Sequence, residues 1–160
     1  MDNTAILIKI RKIVRSINLE SKKIQKEYGV SIPQVLCLGF LSHSDNYQST
    51  HKQLREFLNL NSSTVTGIVD RLETKGLVAR LPKKHDKRTT YIALTSRGSE
   101  LLEKIPPLLH ERLTARLNML KSSDITIMMN TLDTIVDFLD AGNIDASPVI
   151  TIEEDIDNSN

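Results

Sequence analysis

Four cations, Lys83, Lys84, Lys87 and Arg88, stand within one stretch of six residues, a density too charged to turn into a core and suited to holding a phosphate backbone. Taken alone, such a run is most often a solvated loop. Its neighbourhood changes the reading, because residues 62–75 carry Ser62, Ser63, Thr64, Thr66, Arg71 and Lys75 around the apolar Val65, Ile68, Val69 and Leu72. The apolar set lies at i, i+3, i+4 and i+7, so burying it on a helix turns Ser63, Gly67, Asp70 and Thr74 directly outward, with Thr66 and Arg71 on the shoulders. Short hydroxyl side chains and a glycine let a helix sit deep in a major groove while offering donors and acceptors to bases and phosphates.

The elements that would position these groups are legible on either side. Thr50 and Gln53 have capping-box spacing, opening a short helix through Leu54, Phe57 and Leu58, and Thr50 joins the candidate DNA contacts at its start. Asn59 to Asn61 form a tight break, the helix over 62–75 follows at once, and Gly76 supplies its stop, so the two make a helix-turn-helix pattern. Leu77 to Leu81 and Thr89 to Thr95, where Tyr91 and Ala93 alternate with Ile92 and Leu94, predict a β-hairpin with the cationic run at its tip. A basic hairpin beside a recognition helix is a wing, placed for phosphate or minor-groove contact.

Helices flank this unit. Ile6, Ile10, Ile13, Ile17 and Ile24 predict an amphipathic helix over 4–28 that Gly29 ends, and Ser31 is a plausible N-cap for a second, largely buried helix with Pro33 in its first turn. Thr95 or Ser96 caps a fifth helix that meets Pro106 and Pro107, where the ladder should kink or break before resuming through Leu109 to Leu120. Ser122 or Ser123 is expected to cap a last helix ended by Gly142. The first, fifth and sixth helices carry more apolar surface than a small core can cover, so a homodimer is expected. The fold class is therefore mainly α with a small β-hairpin wing: a winged helix-turn-helix domain over 31–98 and a helical dimerisation region over 1–30 and 99–142. Residues 143–160, acidic and without helical periodicity, are expected to be a disordered tail.

Composition sets the outer limits. With 160 residues, 39% apolar and 26% charged, the chain suits one compact soluble domain. Its formal charge of +1 hides a gradient: residues 50–98 hold 10 basic and 4 acidic side chains, or +6, whereas residues 142–160 hold 5 acidic and no basic ones, or −5. No apolar stretch is long enough for a membrane span and the N-terminus lacks signal-peptide order, so a cytoplasmic location is expected. The lone Cys37 lies in the apolar second helix, where a buried inert thiol is the simpler reading and a redox sensor the sharper one. His43, His51, His85 and His110 are scattered without metal-ligand spacing, so neither a metal nor a cofactor is expected. No nucleophile elbow, phosphate-binding glycine loop or paired-carboxylate site points to an enzyme. A winged-helix module used only for protein contacts is the competing reading, although such a module has no need of four clustered wing cations.

The run from Ser63 through Val78, then Asp86, Lys87 and Arg88, then Leu94, Thr95 and Gly98, resembles the MarR family of bacterial winged-helix regulators. The resemblance covers residues 5–141. It implies a homodimeric, sequence-specific transcriptional regulator, more often a repressor, reading double-stranded DNA at a pseudo-palindromic operator. It also implies that Ser62, Ser63, Thr64, Thr66 and Arg71 face bases and backbone, that Arg88 enters the minor groove, and that Asp86 braces the wing. Gly67 stands where relatives often carry a longer side chain. Relatives often bind small aromatic acids, and Arg15, Tyr28 and Phe40 would line such an effector crevice. The first two helices with residues 105–109 are more loosely similar to a branch that includes repressors of compatible-solute synthesis genes, which would place the protein in a stress response.

Overall fold

A computed structural model describes residues 3–81, 89–144 and 146. Among the described residues, seven helices and three short strands follow one another as α1 (Thr4–Tyr28), α2 (Ile32–His43), β1 (Gln48–Thr50), α3 (His51–Leu58), α4 (Ser62–Thr74), β2 (Val78–Leu81), β3 (Tyr91–Leu94), α5 (Ser96–Lys104), α6 (Leu109–Leu117) and α7 (Ser122–Phe138), with a 3-10 turn (Asp45–Tyr47) before β1. They divide into two compact units, one reaching Pro106 and the other spanning Pro107–Ala146.

Local chemistry sets most boundaries of the first unit. Gly29, at φ 69°, closes α1 in the left-handed region that glycine enters without steric cost. Ser31 and Gln34 form a reciprocal capping box that starts α2, and Thr50 and Gln53 form another that starts α3. Asn59, at φ 52°, ends α3, and the side chain of Asn61 caps α4 two residues later, which is the whole of the break between them. Gly76, at φ 72°, ends α4 with paired bonds from its own N–H to Glu73 and from the Leu77 N–H to Leu72.

Leu38, Leu41, Leu54, Leu58, Val65, Ile68, Val69, Leu72, Val78 and Ile92 make the core, where α2 packs against α3, α4, α5 and β3. Phe40 and Phe57 stack at 4.5 Å and join α2 to α3 beside it. The sheet has the order β1-β3-β2. β3 pairs antiparallel with β2, Arg80 opposite Ile92, and with β1, Ser49 opposite Ile92. The hairpin expected from the alternation is present, and β1 is a third strand that the sequence reading did not contain. Its three residues, Gln48, Ser49 and Thr50, are too few to show a period and acquire their form by pairing with β3.

The entry to α5 is the tightest point. Thr95 donates its hydroxyl proton to the Gly76 carbonyl (2.7 Å) and accepts from the Gly98 N–H (3.1 Å), while its own N–H reaches the Leu77 carbonyl (3.2 Å). This clamp presses Gly98 so close that an added Cβ would overlap the Leu77 carbonyl oxygen and lie 2.8 Å from Leu94 Cδ1. The expected break at Pro106 and Pro107 is complete, giving α5 and α6 as separate helices.

Two expectations for α7, which lies with α6 in the second unit, are corrected. Lys121, rather than Ser122 or Ser123, holds the N-cap position, without a side-chain bond. The helix also ends at Phe138 instead of running to Gly142, because Asp140 takes the left-handed conformation (φ 53°) and the Ala141 N–H closes on the Val136 carbonyl. Neither α6 nor α7 has a buried residue; Leu113, Ile127, Met128, Leu132 and Val136 all stand in solvent. The described part of the acidic tail stops at residue 146, and the expectation of a disordered tail lies outside the described residues.

Gly98→Ala should lose about 1–3 kcal/mol of unfolding free energy, the usual cost of forcing a methyl into packed structure. Urea unfolding measures it, and an alanine variant as stable as the parent would contradict the close approach of α5 to Leu77.

Candidate nucleic-acid interface

The exposed face of α4 begins at its cap. Asn61 Oδ1 accepts from the Thr64 N–H (2.8 Å) and from the Ser63 hydroxyl (2.8 Å), so the cap also orients the first outward hydroxyl. Thr66 donates to the Ser62 carbonyl (2.9 Å), and His51 Nε2, from the first turn of α3, lies 3.1 Å from the same Thr66 oxygen. Ser62, Ser63, Thr66 and Arg71 are exposed and Thr64 is half-buried. Arg71 lies back along the helix over Gly67, where a Cβ would stand 3.6 Å from its Nη1. A methyl group there would meet the guanidinium in ordinary van der Waals contact, so the glycine is not required for this arrangement, in which Arg71 reaches back one helical turn before its own Cα.

Asp70 and Glu73 put two carboxylates on the same helix, which would repel phosphates if left alone. Arg80 of β2 meets both: Nη2 donates to Asp70 Oδ1 (2.5 Å), Nη1 to Glu73 Oε1 (2.9 Å), and the Arg80 backbone N–H to Glu73 Oε2 (3.0 Å). The fork offsets one of the two negative charges, supplies hydrogen bonds to both carboxylates, and fastens α4 to the hairpin stem. Arg80 is absent from the residues expected from the sequence. The available signal was two acids three apart on α4 with an arginine seven residues beyond the second.

Lys75, expected as a DNA contact, is exposed and also has a partner within the fold. Its ammonium is bonded to the Gly29 carbonyl at the end of α1 and reaches Gln34 Oε1 at 3.5 Å, because the C-terminal carbonyls of a helix attract a cation. Thr50 is also engaged locally: its hydroxyl accepts from the Gln53 N–H (3.1 Å) in the α3 cap. Lys83, Lys84, Asp86, Lys87 and Arg88 lie outside the described residues; the flanking strands place them in the connection between β2 and β3.

Burial, and the nearby guanidinium groups of Arg55 and Arg80, lower the pKa of His51, against a smaller opposing pull from the Ser62 carbonyl. Burial pushes the Cys37 thiol up to about 12, and the side chain is fully enclosed. A thiol that stays protonated and covered is a poor nucleophile toward oxidants, in keeping with the simpler reading of Cys37 as a buried inert thiol. No cluster of metal-ligating side chains occurs among the described residues, and no described helix is long and apolar enough to cross a membrane.

Two of the residues expected to line an effector crevice, Arg15 and Phe40, border different cavities. Arg15 lines a cavity of about 620 Å³ along α1 with Ile10, Arg11, Val14, Asn18, Leu19 and Lys22. Phe40 lines a different one of about 460 Å³ with Ser44, Gln48 and Tyr91, and Tyr28 lines neither. The reason is length: thirteen residues of helix separate Arg15 from Tyr28 by about 20 Å.

With this geometry established, the chain was compared with known proteins. Residues 30–90 match the MarR family. Among curated relatives, the organic hydroperoxide resistance transcriptional regulator of Bacillus subtilis is 32% identical over 90 residues, covering 56% of this chain and 60% of that protein. The chain spans 44% to 60% of the length of the first four curated relatives it matches. Among solved structures, the MarR family regulator AbsC of Streptomyces coelicolor superposes with a TM-score of 0.61 at 22% identity, over 87% of this chain and 96% of that one. Sco3205, a MarR family regulator of the same organism in complex with DNA, superposes with a TM-score of 0.63 at 18% identity, over 91% of each chain. At these identities the structural likeness establishes the fold.

Two outcomes are expected from the titrations. As pH falls below about 6.5, the ordinary imidazole value, the unfolded chain takes up a proton at His51 before the folded chain does, so stability declines. His51→Gln should flatten that part of a melting profile recorded between about pH 5 and 7.5. Cys37 should react with a thiol reagent only as fast as the protein unfolds, so labelling at the rate of a free thiol in native buffer would contradict its enclosure.

Proposed function

We propose, from the match of residues 30–90 to the MarR family, that this chain is a member of that family and a sequence-specific DNA-binding transcriptional regulator acting as a homodimer, more often as a repressor. The observation that carries the reading is the outward face of α4: exposed hydroxyls ordered by a cap, with its two acids both bonded by Arg80, fastened to a hairpin whose connection contains Lys83, Lys84, Lys87 and Arg88. In the major groove, Ser62, Ser63, Thr64, Thr66 and Arg71 contact bases and phosphates, the start of α3 at Thr50 approaches the backbone, and Arg88, braced by Asp86, enters the adjacent minor groove. The complex of Sco3205 with DNA supports this assignment by likeness of fold.

The exposed apolar side chains of α1 and α7, including Ile13, Val14, Ile127, Leu132 and Phe138, support a dimerisation region built from the helices that flank the winged domain. A twofold dimer places two copies of α4 on half-sites about one helical turn apart. The α1 cavity, with Arg11, Arg15 and Lys22 around Ile10, Val14 and Leu19, suits an amphipathic organic anion as effector. Such a ligand releases DNA by favouring the dimer state in which the half-site spacing is lost.

Binding to randomised duplex DNA should lose affinity with salt at a log–log slope near −0.9 per phosphate neutralised, and Arg88→Ala should cost about 1–3 kcal/mol at fixed salt. Salt-independent binding, or unchanged affinity in a folded Arg88→Ala protein, would refute the wing assignment. Leu132→Lys should shift the protein from dimer to monomer in sedimentation and weaken operator binding with it. A dimer of undiminished strength would place the interface elsewhere.

A further inference from the structure

We propose that His51 is a positioning residue for sequence readout: it locks the Thr66 hydroxyl as an acceptor-only group on the outward face of α4, selecting a base that presents an exocyclic amine in the major groove. The inference deepens, and rests on, the DNA-binding reading.

A free threonine hydroxyl carries one proton and two lone pairs and rotates to donate or accept as its partner demands. Thr66 has lost that freedom. Its oxygen lies 2.9 Å from the Ser62 carbonyl, which can only accept, so the hydroxyl proton is committed there. The second neighbour of the same oxygen, His51 Nε2 at 3.1 Å, must then be the donor, which fixes the ring as the tautomer protonated on Nε2. One lone pair is filled by that N–H. The remaining lone pair is what Thr66, exposed on α4, can offer to DNA.

The surroundings keep this arrangement in place. Arg55 follows one turn later on α3 and Arg80 approaches from β2; with burial, both disfavour a second proton on the ring and outweigh the opposing pull of the Ser62 carbonyl. Arg80 is itself held by Asp70 and Glu73, so the charges facing His51 from β2 and α4 are fixed in position. In the major groove, cytosine N4 and adenine N6 are donors, whereas the guanine and thymine edges offer acceptors. A locked acceptor therefore pairs with cytosine or adenine and leaves guanine or thymine with two acceptors face to face.

The test is selection of bound duplexes from a randomised library by the full-length protein, followed by affinity measurements on the selected site. One position in each half-site should prefer adenine or cytosine on the strand facing Thr66 by about 3- to 10-fold, the value of one hydrogen bond. Thr66→Val, which removes the hydroxyl at nearly constant volume, and His51→Phe, which removes the N–H donor, should each erase that preference at that position alone. The double variant should do no more than either single one. His51→Gln, whose amide can donate to the same oxygen, should restore the preference, and the salt slope should be equal in all four proteins because no phosphate contact changes. A preference kept in His51→Phe, or a position lost in Thr66→Val that favoured guanine or thymine, would overturn the proposal while leaving DNA binding intact. A parent protein that selects no sequence at all would overturn the DNA-binding reading, and this assignment with it. Should His51→Phe fail to fold, the Thr66→Val and His51→Gln pair still decides: the proposal fails if the former keeps the preference or the latter loses it.

Discussion

The three-point grip of Arg80 on Asp70 and Glu73 is the constraint on which the rest of the binding face depends. A helix that offers hydroxyls to DNA while carrying two carboxylates on the same exposed surface works against itself, and the hairpin stem, anchored in the core by Val78 and Ile92, gains a second, polar attachment to that helix. One guanidinium and one backbone N–H act on both: they offset half of the acidic charge, bond both carboxylates, and set the strand that leads into the cationic connection at a defined distance from the helix. Because the pairs are partly solvated, their contribution to overall stability is small; their effect lies in orientation.

The same economy recurs around the face. Thr95 binds the ends of α4, β2 and α5 through three hydrogen bonds, and the absence of a side chain at Gly98 permits the approach. His51 links α3 to α4 through Thr66. None of these contacts buries much apolar area. The apolar core of α2, α3 and α4 supplies cohesion, and the polar contacts choose among the arrangements that cohesion alone would allow.

What was legible in the sequence was whatever is local. The capping pairs Ser31 with Gln34 and Thr50 with Gln53, the stops at Gly29 and Gly76, and the i, i+3, i+4, i+7 spacing through Leu72 each place a boundary or a face within a few residues. Contacts between distant segments were not legible. Lys75 reads as an exposed cation on a helix, yet its partner carbonyl is forty-six residues away at Gly29. β1 exists only because β3 accepts it, and Arg80 reads as one arginine among many until the fold sets it beside Asp70. The cap and end of α7 failed for a different reason: serines and a glycine were available, but the chain closed the helix with Asp140 instead.

The bond from Lys75 to Gly29 joins the end of the longest helix to the end of α4. At 1.5 Å per residue α1 is a rigid lever about 37 Å long with its fulcrum at that carbonyl. A sideways displacement of about 3 Å at the far, N-terminal end of such a rod corresponds to a pivot of only about 5°. Gly29, in the left-handed conformation at that pivot, is where such a turn would be taken up.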